Sequence, residues 1–254
     1  MEKKLQVPAN FDDELPFISE SYMEMLFDHG KEREQKDIQY LLEYISNMEK
    51  QFDEVLTELH DVKHLLNTMQ GPSVKSRLSN VVDQTQNIIM DGKNKLSQLK
   101  TDILSSMKHC VEEFKKSGKS VAIKTINVLH FKEALTGIQK TLYKALNKTS
   151  ELIRTMDMLT VEIRSMKRSF KNIGLLLLGK PINHNTQDIQ KLNMMQKCSR
   201  SMLNGLKSMT RKTTKVLHRL YDMERGSVKK ELKLLSNQIN TPDEKKHKKD
   251  EQIR

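Results

Sequence analysis

From Phe131 to Leu177 one line of side chains recurs in alternating steps of three and four residues, unbroken over 47 positions. The line runs Phe131, Leu135, Ile138, Leu142, Ala145, Thr149, Leu152, Met156, Leu159, Ile163, Met166, Phe170, Ile173, Leu177. Only a helical period brings such residues onto one face, and the alternation keeps that face turned toward a partner helix. A helix of this length spans about 70 Å. It can bury one stripe and no more, so it must pack on other helices.

Three further seams repeat the pattern. The first is Ile38, Leu41, Ile45, Met48, Phe52, Val55, Leu59, Val62, Leu66, Met69, closed by Gly71-Pro72-Ser73. Pro cannot continue the hydrogen-bond ladder, and Ser can cap the helix that follows. The second is Val74, Leu78, Val81, Thr85, Ile88, Gly92, Leu96, Leu99, Ile103, Met107, Cys110, Phe114, ending near Ser117-Gly118-Lys119-Ser120. Its paired four-residue steps around Gly92 and Met107 read as stutters that locally unwind a supercoil. Gly179-Lys180-Pro181 stops the longest helix. The last seam is Leu192, Met195, Ser199, Met202, Leu206, Met209, Thr213, Val216, Leu220, Met223. It shifts register near Arg225-Gly226-Ser227 and ends at Ile239, before Thr241-Pro242.

The expected fold is all-α, with long heptad-patterned helices in an elongated antiparallel bundle or coiled coil, since short connections favour antiparallel neighbours. Residues 1–18, with Pro8 and Pro16, read as an irregular arm. Residues 19–70 form an acidic unit. It opens with a short helix that has capping-box spacing at Ser21-Tyr22-Met23-Glu24 and a stop at Gly30, and continues into the first coiled-coil helix. Residues 71–239 form a basic long-helix bundle, and the charged residues 240–254 a disordered tail.

Composition supports the same architecture. With 36% hydrophobic and 30% charged residues, narrow seams are affordable but a thick layered core is not. Nine Gly and five Pro are too few to punctuate a many-stranded β-fold. The greasiest run, Ile173-Gly174-Leu175-Leu176-Leu177-Leu178, is far short of the roughly 20 residues that span a bilayer. No apolar signal segment follows Met1-Glu2-Lys3-Lys4, and Cys110 and Cys198 are too few for a disulfide framework. A cytoplasmic, reducing location is expected.

Charge is partitioned along the chain. Residues 1–70 hold seven Lys and Arg against sixteen Asp and Glu, a balance of −9, and residues 71–254 balance at +20. Between Glu162 and Asp222 there are thirteen basic residues and one acid, Asp188. The candidate polyanion-binding residues are Arg164, Lys167, Arg168, Lys171, Lys191, Lys197, Arg200, Lys207, Arg211, Lys212, Lys215 and Arg219. Two readings compete. Either these cations face a nucleic acid or an anionic membrane surface, or the acidic helix at 31–70 lies along them and neutralises them. No recognition-helix turn, zinc finger or RNA-stacking motif is present, so DNA binding would run through the backbone and ignore sequence. For a membrane, Phe170 and Ile173 beside Lys167, Arg168 and Lys171 form a short amphipathic patch, but the same residues continue the seam.

Catalytic and metal signals are weak. His60 and His64 stand four apart but off the Leu59/Val62/Leu66 line, with no third ligand suggested by spacing, so no metal is expected. Gly118-Lys119-Ser120 lacks the earlier Gly of a phosphate loop, since position 113 is Glu113, and it follows a helix rather than a strand. The fifteen Met, with Met156, Met166, Met202, Met209 and Met223 on seams, read as core filler. No nucleophile–base constellation is marked, no cofactor is implied, and no small-molecule substrate is evident.

Three stretches carry a resemblance. They are Asp37 to Met69, with Leu41-Leu42-Glu43-Tyr44-Ile45 and Gln51-Phe52-Asp53-Glu54-Val55-Leu56-Thr57-Glu58-Leu59; Phe114-Lys115-Lys116-Ser117-Gly118; and Phe131-Lys132-Glu133-Ala134-Leu135 with Ile138-Gln139. In order and spacing they resemble an uncharacterised all-helical family, a domain of unknown function of Firmicutes carried on integrative and conjugative elements. The similarity extends over about residues 20–225. It implies a cytosolic accessory protein of a mobile element and supplies no active site. The expectation is a non-catalytic interaction or scaffold protein that binds a protein partner or itself. The alternative is a sequence-independent double-stranded DNA-binding protein, with peripheral membrane attachment third.

Overall fold

The computed structural model describes residues 11–69, 72–117, 128–177 and 186–239, nearly all of them helical. The helices are α1 (Phe11–Asp28), α2 (Glu32–Asn67), α3 (Pro72–Ser117), α4 (Val128–Leu177) and α5 (Thr186–Ile239). The tail at 240–254 and the first ten residues of the arm lie outside the described residues.

Side-chain ties fix direction and order. Lys63 pairs with Asp83 at 3.0 Å and Lys100 with Glu49 at 3.2 Å, so α3 runs antiparallel to α2. Arg77 to Glu162 and Lys95 to Thr141 give the same sense to α3 and α4. Gln196 to Asp157 and Gln139 to Thr214 do so for α4 and α5. The ring closes where Lys191 reaches the Thr68 carbonyl and Arg219 reaches Asp37, which sets α5 antiparallel to α2. α2 to α5 therefore form an up-down-up-down four-helix bundle with one continuous core. The acidic and basic segments share that core, so the boundary at residue 70 divides charge rather than folding units.

All ten residues of the first expected seam are buried, Met69 lying just past the end of α2, as are those of α5 through Leu220. On α3 the seam differs from the expected one. Val82 and Ile89 are fully buried, while Val81 and Ile88 are only partly so. Leu78, Val82, Thr85, Ile89, Gly92, Leu96, Leu99 and Ile103 then alternate fours and threes, and the expected stutter at Gly92 disappears. Two adjacent β-branched or aliphatic residues stand at each of these turns, and the neighbouring helices select the one that faces them. α4 follows its expected stripe to Ile163, but Met166 is 52% exposed. The pairing of Arg77 with Glu162 places Met166 level with the first turn of α3, where no described helix extends far enough to cover it.

Tyr44 of α2 specifies how α5 docks. The Thr213 hydroxyl donates to the Met209 carbonyl at 2.8 Å, so the buried Tyr44 hydroxyl donates to Thr213 Oγ1, also at 2.8 Å. Burial raises the Tyr44 pKa far above the ordinary phenol value, against the lowering effect of the Thr213 bond, so the ring stays neutral. A buried polar pair at one layer penalises any slipped register that leaves either group unpaired.

At the N-terminus the arm reading fails for residues 11–18, which are helical, and Ser21 lies inside α1 rather than capping it. Pro16 removes a single backbone donor, and the burial of Ile18, Tyr22, Met25 and Leu26 outweighs that loss. Gly30 ends α1 as expected. At φ 67° it closes a Schellman motif in which the Lys31 N–H donates to Leu26 O and the Gly30 N–H to Phe27 O. The chain reverses there, and α1 folds back onto α3 and α2. At the start of α3, Pro72 is the first helical residue, where its missing donor costs nothing, and Ser73 sits inside the first turn.

Gly137, in the interior of α4, has open space where a β-carbon would stand. Gly137→Ala should stabilise the fold by about 0.5–1 kcal/mol by removing backbone freedom from the unfolded chain. A thermal melt would check this, and an unchanged or lower midpoint would contradict it.

Candidate polyanion-binding face

The α5 core line of Leu192, Met195, Met202, Leu206, Met209, Val216 and Leu220 fixes the outward positions of that helix. Lys197, Arg200, Lys207, Arg211 and Lys215 fall on them and are exposed. They recur three to seven residues apart over a rise of about 27 Å. Gln139 and Gln196 show which side of each helix meets the other, and α4 brings Lys140, Arg154, Arg164 and Arg168 to the same side of the bundle. Among the described residues none of these nine cations has an ion-pair partner. Asp157 is an acid on this side, and it accepts a hydrogen bond from Gln196 at 3.0 Å. Tyr143, 51% exposed on α4, lies level with Arg211.

The remaining candidates divide. Lys191 is half-buried and donates to the Thr68 carbonyl, capping the end of α2. Arg219 places Nε and Nη2 at 3.0 and 2.7 Å from one oxygen of Asp37 and lies 4.3 Å over the Tyr40 ring. Both cations are spent on packing. Lys212 is exposed on the flank toward α2, and the side chains of Lys167 and Lys171 lie outside the described residues. Sequence reasoning missed Lys140 and Arg154 because it searched for an acid-free interval. A seven-residue stride from the α4 seam would have found both.

The neutralisation reading meets a specific geometry. α2 does lie along α5, yet among the described residues Asp37 is the one α2 carboxylate in an ion pair with α5. Asp53 binds Lys93 at 2.5 Å and Glu49 binds Lys100, both on α3. The acids of α2 are thus shared with a helix outside the basic interval, and among the described residues the outward cations of α5 have no ion-pair partner.

Where α2 meets α5 near the other end, Glu58, Asp61 and Cys198 bring one ligand atom each to within 4.8 Å of one another. A thiolate and two carboxylates are a donor set that a divalent ion can use. His60 and His64 are exposed and do not belong to the group. Partial burial, the hydrogen bond to Glu58 and the charges of Glu58 and Asp61 push the Cys198 pKa up. The group is therefore protonated at neutral pH. Glu58→Gln removes one of those negative charges, so alkylation of Cys198 near pH 8 should quicken several-fold in a Cys110→Ser background. An unchanged rate would mean that burial alone controls the thiol.

Gly118-Lys119-Ser120 lies outside the described residues, and the segment before it is helix α3. The open groove at the start of α3 is lined by Pro72, Lys75, Ser79 and Asp83, and in it the exposed Ser79 hydroxyl donates to the Asp83 carboxylate at 3.3 Å, one turn along the same helix.

The fold defines the class: an all-α protein built as a closed antiparallel helical bundle, with exposed cations gathered on its α4–α5 side. The model of a family of unknown function (DUF6674) matches residues 20–254, and the chain belongs to that family. Neither a curated protein nor a solved structure matches it. No described helix is long and apolar enough to cross a membrane.

Proposed function

We propose that this chain is a non-catalytic helical scaffold whose α4–α5 side binds double-stranded DNA through its phosphates, without reading sequence. The observation that carries the reading is the set of exposed, unpaired cations at Lys197, Arg200, Lys207, Arg211 and Lys215, joined by Arg154 and Arg164 of α4. Unpaired cations on one rigid side exchange condensed counterions for phosphate contacts, which needs no base-reading element. The few aromatics argue against a single-strand stacking platform. Cytosolic DNA is also the setting of an accessory protein of a mobile element, the role that the sequence resemblance suggests. A second reading, an acidic protein partner, is favoured by exposed Tyr143, Met158 and Val161 near the same cations, because apolar anchors serve protein interfaces better than phosphate backbones.

The test is fluorescence anisotropy on a duplex of arbitrary sequence across a salt series. Binding that falls steeply with salt and is indifferent to sequence is expected. Salt-insensitive or absent binding would end the DNA reading and leave the protein partner.

A further inference from the structure

The outward face of α1 carries Phe17, Glu20, Glu24, Phe27 and Asp28, all exposed, with Phe17 at 69% and Phe27 at 60%. The inward residues Ile18, Tyr22, Met25 and Leu26 already hold α1 to the bundle, so the two phenylalanines have no part in that contact. Two exposed aromatic rings beside three acids make an amphipathic face that the described helices leave uncovered.

We infer that this face docks on the Lys207/Arg211/Lys215 ridge of a second copy of the chain. Three observations lead there. The acids at 20, 24 and 28 and the cations at 207, 211 and 215 share the same four-residue stride, about 6 Å along each helix. Two such rows can lie against each other along the i±4 ridges that helices ordinarily pack by. Tyr143, level with Arg211, gives the phenylalanines an apolar counterpart. Finally, α1 packs only on α2 and α3, while the ridge belongs to the opposite, α4–α5 side. One molecule cannot satisfy both faces itself, and the contact between copies is head-to-tail. Such a contact does not close on itself as a two-fold dimer does, and each added copy presents a fresh face.

The proposal uses the cations of the DNA reading but does not need DNA, and the two are separable. Sedimentation velocity at concentrations on the order of 100 μM should show a mass that grows with concentration at about 50 mM salt and shrinks at about 500 mM. Two variants break one face each: Phe17→Ser with Phe27→Ser, and Lys207→Glu with Arg211→Glu and Lys215→Glu. All five positions are exposed, so circular dichroism should be unchanged. Each variant alone should be monomeric. Their mixture should form a one-to-one pair that grows no further, because only one good interface remains. A monomeric parent chain, or continued growth of the phenylalanine variant, would overturn the inference. DNA affinity should survive in the phenylalanine variant and fall in the lysine/arginine variant. Assembly without DNA binding would remove the DNA reading alone, and DNA binding by a strict monomer would remove this one alone.

Discussion

Phe52→Ala should cost about 3–5 kcal/mol and lower the urea midpoint accordingly. Phe52 is 1% exposed, and its ring fills the space that Gly92 leaves open on α3. A β-carbon at Gly92 would stand 2.9 Å from Cζ of that ring and 3.3 Å from Cγ2 of Thr141. Gly92→Leu should therefore be comparably damaging through overpacking, despite the gain in helix propensity. Together the two substitutions exchange a large residue on α2 for one on α3. The double variant should recover at least about 1 kcal/mol relative to the sum of the single losses. Strictly additive losses would show that ring and glycine do not share one packing layer. Gly205, whose β-carbon would come 3.1 Å from Val55, repeats the arrangement between α5 and α2. The large α2 side chains sit in notches of both neighbours.

Replacing Lys207, Arg211 and Lys215 by Gln should reduce the salt slope of DNA binding by about 2–3, near 0.9 for each lost phosphate contact. At about 0.1 M salt that corresponds to roughly a hundredfold weaker binding. Arg219→Gln is the informative contrast. Its guanidinium is held on Asp37 and Tyr40, so its removal should leave the slope nearly unchanged while destabilising the fold, because the largely buried Asp37 loses its partner. If Arg219→Gln moved the slope as much as Lys207→Gln, phosphate contact would not distinguish packed from free cations, and the assignment of the ridge would fail.

The particular residues show where sequence reasoning succeeded and where it stopped. Ile38 to Met69 and Leu192 to Leu220 were readable because, although adjacent apolar pairs such as Leu41/Leu42, Leu65/Leu66 and Met194/Met195 occur there, only one member of each continues an unbroken three-and-four line. At Val81/Val82 and Ile88/Ile89 each turn offers two, about 100° apart around the helix, and only the position of the neighbouring helices chooses between them. Met166 continues a perfect stripe yet faces solvent, since periodicity says nothing about where a partner helix begins. The same limit governs charge. The acid-free interval was visible as a string, but Lys191 and Arg219 were indistinguishable in it from Lys207 and Arg211.

The sequence by itself determined that the fold is all-α, where α1 to α4 stop and which stripe most of the helices bury, because period, glycine and proline act within a few residues of themselves. The tertiary structure alone decided that α5 closes the ring against α2, that Tyr44 meets Thr213, and that the acids of α2 turn partly to α3. Those outcomes depend on distances between segments up to 182 residues apart, as between Asp37 and Arg219. A cation's freedom belongs to its neighbours, and neighbours across a bundle are set by packing rather than by local order.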